Sequence, residues 1–193
     1  MVCAFVGEMR SCDGERKSVS PAVLVAGVLA AGQEALELAT SLMEARYGPV
    51  RLASEAAAFT WSSYYAAEMG RELTRQFLAF ERLIDPGLLG RIKLDTGVLE
   101  TEHARSGRRV FNLDPGYLTL SSLVVASTKE ASYRVYLGDG VYAQPMLVYR
   151  EKEFRPLEWT YPDYCDPAHL AFFEAVRRDA RERGVLGRCG RSG

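Results

Sequence analysis

Histidine and cysteine are scarce in this sequence, two of the first and four of the second among 193 residues. The cysteines, Cys3, Cys12, Cys165 and Cys189, lie toward the two ends and form no C-x-x-C pair. A zinc site needs close ligand pairs and a disulfide scaffold a denser set, so free thiols in a reducing cytoplasm are the expectation. An excess of either charge is also missing. With 24 basic and 25 acidic residues the net charge is −1, which leaves no global field to hold a polyanion, and no nucleic acid is expected as a partner. Long apolar runs are absent as well. The longest, Ala22–Ala31, reaches about half of the ~20 residues a spanning helix requires. Glu8, Arg10, Asp13, Glu15, Arg16 and Lys17 interrupt any signal-peptide core at the start. No membrane association and a cytoplasmic location are therefore expected. There is no P-loop, no nucleophile-elbow serine, no HExxH, no internal repeat and no low-complexity tract.

What is present fits one globular domain: 48% of residues are hydrophobic and 25% charged, enough to bury a single core. Order is expected over residues 21–184, with residues 1–20 as an unstructured extension and 185–193 as a flexible tail. Ala22–Ala30 is uninterrupted apolar sequence, as in a strand buried on both faces. From Gln33 to Tyr47, Leu36, Ala39, Met43 and Tyr47 fall on one helical stripe, and Gly48-Pro49 ends it. Val50–Thr60 reads as a strand, Trp61–Gly70 as a loop or short helix, and Thr74–Ile84 as a central strand. Asp85-Pro86 opens a helix with Leu88, Leu89, Ile92, Leu99 and His103 on one stripe. Arg108–Leu113 is a strand that ends in a turn at Asn112-Leu-Asp-Pro-Gly, and Thr119–Ala126 is helical or extended. Gly138-Asp-Gly joins Tyr133–Leu137 and Val141–Tyr149 into a hairpin. A last helix follows Asp166-Pro167. The order β-α-β, β-α-β, hairpin, helix predicts an α+β fold, a ferredoxin-like βαββαβ sandwich with an added β-hairpin and a C-terminal helix; a parallel three-layer α/β sheet is the alternative.

Candidate site residues come from the turn segments. Asp114 precedes Pro115 and Gly116, where a carboxylate can hold a metal, act as a base or simply accept backbone hydrogen bonds in an Asx turn, with Tyr117 as a nearby donor. Lys129 and Arg134 can take a phosphate or carboxylate. Asp139 stands at a hairpin tip beside Tyr142. Glu81 and Arg82 interrupt an apolar strand, where a charge must find a partner or line a cavity; Arg82 with Asp114 and Glu81 with Lys93 are the expected pairs. His103 and His169 are expected as cap or surface residues. The loop aromatics Tyr64, Tyr65, Tyr136, Trp159, Tyr161 and Tyr164 can build a pocket for a planar or sugar ligand, or pack the core.

The blocks Glu68-Met-Gly, Phe80-Glu-Arg-Leu-Ile-Asp-Pro, Ile92-Lys-Leu, Asn112-Leu-Asp-Pro-Gly-Tyr-Leu-Thr-Leu, Ser127-Thr-Lys, Arg134-Val-Tyr-Leu-Gly-Asp-Gly-Val-Tyr-Ala and Trp159-Thr-Tyr-Pro-Asp-Tyr occur in one order. Together they resemble the bacterial domain-of-unknown-function family numbered 4416, over about Ala22 to Arg178. Members of that family often carry the label GTP-binding protein, but the resemblance implies no activity, cofactor or catalytic residue. Ser127-Thr-Lys-Glu has only a faint likeness to a guanine-reading motif, since Glu130 falls one position early. The expected function is binding of a phosphorylated or nucleotide-like small molecule. The alternatives are a carboxylate- or metal-dependent hydrolase or transferase, and a protein-interaction module; no residues are assigned to a metal, and the sequence fixes neither enzymatic activity nor oligomeric state.

Overall fold

The computed structural model describes residues 19–186; the expected extension, apart from its last two residues, and most of the expected tail lie outside them. The elements in chain order are β1 (Ala22–Ala30), α1 (Gln33–Tyr47), β2 (Val50–Ala53), β3 (Ala57–Ala58), α2 (Ala66–Met69), β4 (Thr74–Ile84), α3 (Leu89–Glu102), β5 (Phe111–Leu118), β6 (Ser122–Ser127), β7 (Val135–Gly138), β8 (Val141–Arg150), β9 (Glu153–Pro156) and α4 (Pro167–Glu182). Short 3₁₀ turns precede α3 at Pro86–Leu88 and α4 at Pro162–Cys165.

The chain is a mixed α+β protein built on one open sheet in the order β2-β4-β1-β5-β6-β8-β7, with β3 also on β4 and β9 also on β8. Every pairing is antiparallel, which overturns the parallel three-layer alternative. β1 is buried along its whole length because both faces of the sheet are covered. Leu24, Ala26 and Val28 meet α1 through Leu36, Ala39 and Met43, and meet α3 through Ile92. Val23 and Val25 face the other way, toward Phe172, Phe173 and Val176 of α4. The two-period of a strand and the stripe of each helix account for this division. Asp85 and Asp166 cap as their position before proline predicts, accepting hydrogen bonds from the Gly87 and Ala168 amides, each at 2.8 Å. Leu186, inside the expected tail, is buried against the α4 side of the core.

Three expectations fail for identifiable reasons, and a fourth holds only in part. The Asn112–Gly116 stretch is not a turn but the middle of β5. The N–H of Leu113 points away from β1, toward the Glu100 side chain, and by the alternation of a strand the nitrogen of Pro115 faces that same unpaired edge, where no donor is required. Glu81 and Arg82 do not sit in regular strand. They fall where the β4 register against β1 shifts between Val23 and Val25, and the bulge turns both side chains to solvent, so neither forms its expected pair. His169 is not a surface residue: it is buried, with its ring centroid 4.7 Å from that of Phe77 and its Nδ1 2.6 Å from the Asp163 carbonyl oxygen. The stripe expected for α3 holds at Leu89 and Ile92 and is half-buried at Leu99 and His103, but the buried face is wider than expected. Leu88 is exposed, and the helix buries Lys93, Thr96 and Glu100 together with Leu89 and Ile92.

Candidate functional site

The burial of Lys93, Thr96 and Glu100 beside the apolar stripe of α3 follows from a gap in the sheet. β5 runs from Phe111, but β6 pairs with it only along Gly116–Leu118. A Cβ on Gly116 would collide with the Val124 carbonyl oxygen, so glycine permits the close approach of the two strands at the only place they touch. Above it the edge of β5 is open, and side chains of α3 satisfy it: Lys93 Nζ donates to the Leu113 carbonyl at 2.6 Å and Glu100 Oε1 accepts the Leu113 amide at 2.8 Å. Lys93, Thr96 and Glu100 follow the i, i+3, i+7 spacing of one helix face, while Leu94 and Val98 remain 40% and 53% exposed.

This gap is a cavity of about 1030 Å³. Leu94, Gly97 and Val98 of α3 form one wall, and Phe59, Trp61, Tyr64 and Tyr65 from the segment between β2 and β4 form another. The segment joining β6 to β7 closes a third side with Lys129 and Arg134, and Tyr161 and Asp163 a fourth. Asp114, Asn112, Lys93 and Arg75 make the floor.

The floor is a buried charge network. Arg75 is 5% exposed. Its Nε and Nη2 lie 2.8 Å and 2.6 Å from Asp163 Oδ2, and its Nη1 donates to Asp114 Oδ2 at 3.2 Å. Burial alone disfavours the Arg75 cation, but the Asp163 and Asp114 charges outweigh that cost and hold the guanidinium above its ordinary pKa. Burial likewise pushes the Asp114 carboxyl up, but Lys93 and Arg75 pull harder, and the nearby Asn112 amide adds to them, so the group lies below the usual carboxylate range. Lys93 Nζ is 3.8 Å from Asp114 Oδ1, too far for a hydrogen bond. That oxygen has no hydrogen-bond partner among the described residues.

Above the floor, Arg109 grips Glu68 with Nε and Nη2, both at 2.7 Å, and sends Nη1 to Glu100 Oε2 and Asn112 Oδ1, both at 2.9 Å. The Glu68 hydrogen bonds are the main cause that raises Arg109, and the same contact lowers Glu68. Arg109 fixes the orientation of Asn112, whose Nδ2 is buried without a partner. Arg134 is similarly occupied, giving hydrogen bonds to Gln144 Oε1, Ser127 Oγ, Tyr161 Oη and the Lys129 carbonyl. Lys129 Nζ sits 3.8 Å from the centroid of the Tyr64 ring. Its hydrogen bond and charge lower the Tyr64 hydroxyl, whereas burial raises those of Tyr65 and Tyr161.

Of the residues expected to form a site, Asp114, Lys129 and Arg134 line this one cavity. Tyr117, three residues after Asp114, points to the opposite face and packs beside Leu89 and Val124. Asp139 lines a separate hollow of about 340 Å³ with Arg91 and Leu137, and Tyr142 packs on Tyr136 with ring centroids 5.2 Å apart. Glu81 and Arg82 are exposed elsewhere. Sequence reasoning passed over Arg75, Asp163, Glu100, Arg109 and Asn112. Among the described residues no three His, Cys, Asp or Glu side chains come together as a metal site would need, and no helix is long and apolar enough to cross a membrane.

No curated protein and no solved structure gives a significant match to this chain. A family profile does match, across residues 20–179, which takes in every element of the sheet and the whole cavity. The chain therefore belongs to the family described as domain of unknown function DUF4416.

Proposed function

We propose that this chain is a small-molecule-binding protein whose ligand, of the phosphorylated or nucleotide-like class expected from the sequence, occupies the cavity between α3 and the aromatic segment before β4. One observation carries the reading. Asp114 presents an oxygen without a hydrogen bond, and Asn112 a buried Nδ2 without a partner, to a large cavity walled by aromatic and aliphatic side chains, where the unpartnered buried amide is costly unless something else completes it. A cavity of this size with a few convergent polar groups is the usual form of a ligand site. The carboxylates do not favour the enzyme alternative: Asp163 is bound to Arg75 and Glu100 to Arg109 and the Leu113 amide, which leaves Asp114 as the single one of the three with an oxygen open to the cavity. The test is a thermal-shift panel of nucleosides, nucleotides, sugar phosphates and divalent metals, since a ligand that binds only the native state raises its midpoint. At least one organic member is expected to raise it; silence across the panel, with a positive control in hand, rejects the reading.

The fold is read as ferredoxin-like within the same proposal. Its support is the order β5-β1-β4-β2 with every neighbour antiparallel, α1 linking β1 to β2 and α3 linking β4 to β5, which gives two interlocked β-α-β units. The strands after β5 and α4 are then additions. A cytoplasmic location is likewise proposed; among the described residues Cys165 has no disulfide partner.

A second reading, a protein-interaction role, is favoured by β7. It is the last strand of the sheet order and exposes Val135, Tyr136 and Leu137 in succession, the profile of an edge open to another chain. Sedimentation of the wild type and Tyr136→Lys distinguishes them: a dimer lost in the variant supports this reading, and a monomer in both removes self-association through β7.

A further inference from the structure

We infer that the floor of the cavity reads a cis-amide edge, a carbonyl beside an N–H in a planar heterocycle such as a lactam nucleobase, and that phosphates on such a ligand add little to its binding. The inference rests on the small-molecule reading above and narrows it.

The argument begins with the cations lining the cavity. A phosphate chain is held by guanidinium forks and ammonium groups that are free to turn toward it. Here all three guanidiniums are already engaged. Arg75 is shared between Asp163 and Asp114, Arg109 is bound to Glu68, Glu100 and Asn112, and Arg134 is spread over four oxygens of the protein. Lys129 rests on Tyr64 at the outer wall. The guanidiniums are tied, so a phosphate chain would have to break bonds already made or rely on the ammonium groups of Lys93 and Lys129 alone.

Beside the unpartnered Asn112 Nδ2, the floor leaves open a donor and an acceptor that stand side by side. Lys93 spends one N–H on the Leu113 carbonyl and retains others. Asp114 spends Oδ2 on Arg75 and leaves Oδ1 open. The two groups stand 3.8 Å apart, too far to satisfy each other and near enough for one small group to bridge both. The oxygen and nitrogen of an amide lie about 2.3 Å apart from their bond lengths, so a ring carbonyl facing Lys93 and its neighbouring N–H facing Asp114 make two roughly parallel hydrogen bonds. The reciprocal arrangement, a cation met by an anion on each side, suits a zwitterion as well. The walls choose between them: Phe59, Trp61, Tyr65 and Tyr161 surround the floor with flat apolar faces, which a planar ring covers and a small amino acid does not.

The experiment is calorimetric titration of the full chain with inosine and uridine, which carry the edge, with adenosine and cytidine, which do not, with inosine triphosphate, and with free amino acids. The lactam nucleosides are expected to bind at least tenfold more tightly than the amino-edged ones, and inosine triphosphate within about threefold of inosine. Asp114→Asn is expected to weaken inosine at least tenfold, and Gly97→Leu, which places a side chain in the cavity without touching the floor, to abolish binding. A triphosphate that binds more than tenfold tighter than its nucleoside, a preference for adenosine, or binding of amino acids alone would overturn the inference while leaving the cavity as a ligand site. Titrations in which no compound of any class binds remove both this inference and the reading beneath it.

Discussion

Gly27 makes room for Arg75. A Cβ on Gly27 would stand 3.1 Å from Arg75 Nη1, 3.1 Å from the Phe77 ring and 3.2 Å from the Tyr164 hydroxyl. The missing side chain in the middle of β1 is therefore what lets a guanidinium lie within the sheet's covered face, between Asp114 and Asp163. Gly27→Ala is expected to destabilise the fold by about 1–3 kcal/mol, the usual cost of overpacking, although alanine suits a strand better than glycine. Chemical denaturation measures it; an unchanged midpoint would mean that the Arg75 network shifts freely.

Asp114 sets a pH dependence whose sign is fixed by the direction of its shift. Its native pKa is below the unfolded value of about 3.9, so the native state binds fewer protons than the unfolded one. The stabilisation is complete above the unfolded value and is lost as pH falls through the native one. The melting temperature should therefore drop on acidification below about pH 4, and Asp114→Asn should flatten part of that slope while costing about 2 kcal/mol at neutral pH. Parallel melting curves of the two proteins from pH 7 downward check both; equal slopes would place the acid sensitivity in other carboxylates.

Glu68 latches the aromatic segment to the body through Arg109. The pair is partly exposed, with side-chain accessibilities of 37% and 28%, so its loss should cost less than about 1 kcal/mol globally. Locally the effect is different. Glu68→Ala should speed amide hydrogen exchange in α2 and the residues around Tyr64 and Tyr65 while leaving β1 and β4 protected. Exchange raised everywhere, or nowhere, would contradict the latch.

Gly97 lies in the interior of α3 with open space where a Cβ would be. Gly97→Ala should stabilise the protein by up to about 1 kcal/mol through helix propensity, read by denaturation. The longer Gly97→Leu reaches into the cavity, and should retain wild-type stability while closing the site. A marked loss of stability in either variant would show that the space is not open.

Much of the framework could be read directly from the chain. The unbroken apolar run of β1, the stripe of α1, the aromatic alternation of β4 and the Gly138-Asp-Gly turn each carry a local signal, and each forms the expected element. Asp139 and Gly140 adopt the positive φ values, 50° and 73°, that such a hairpin requires. The turn before β9 carried no such mark, because Glu151 and Lys152 take positive φ without glycine, and β9 was missed. Asn112-Leu-Asp-Pro-Gly misled for a non-local reason: its proline faces an edge that only the departure of β6 leaves open, and its glycine answers to Val124 rather than to a bend. The candidate site was half legible. Asp114, Lys129 and Arg134 were within reach of local reasoning, but Arg75, Arg109 and Glu100 owe their roles to partners as distant in sequence as Asp163, and no spacing rule connects them.

The most direct test of the central claim is the thermal-shift panel run on the wild type and Gly97→Leu side by side. The account predicts a midpoint raised by at least one organic ligand in the wild type and unmoved by it in the variant, with both proteins melting alike when alone. A ligand that stabilises the two equally, or a panel that moves neither, would contradict it.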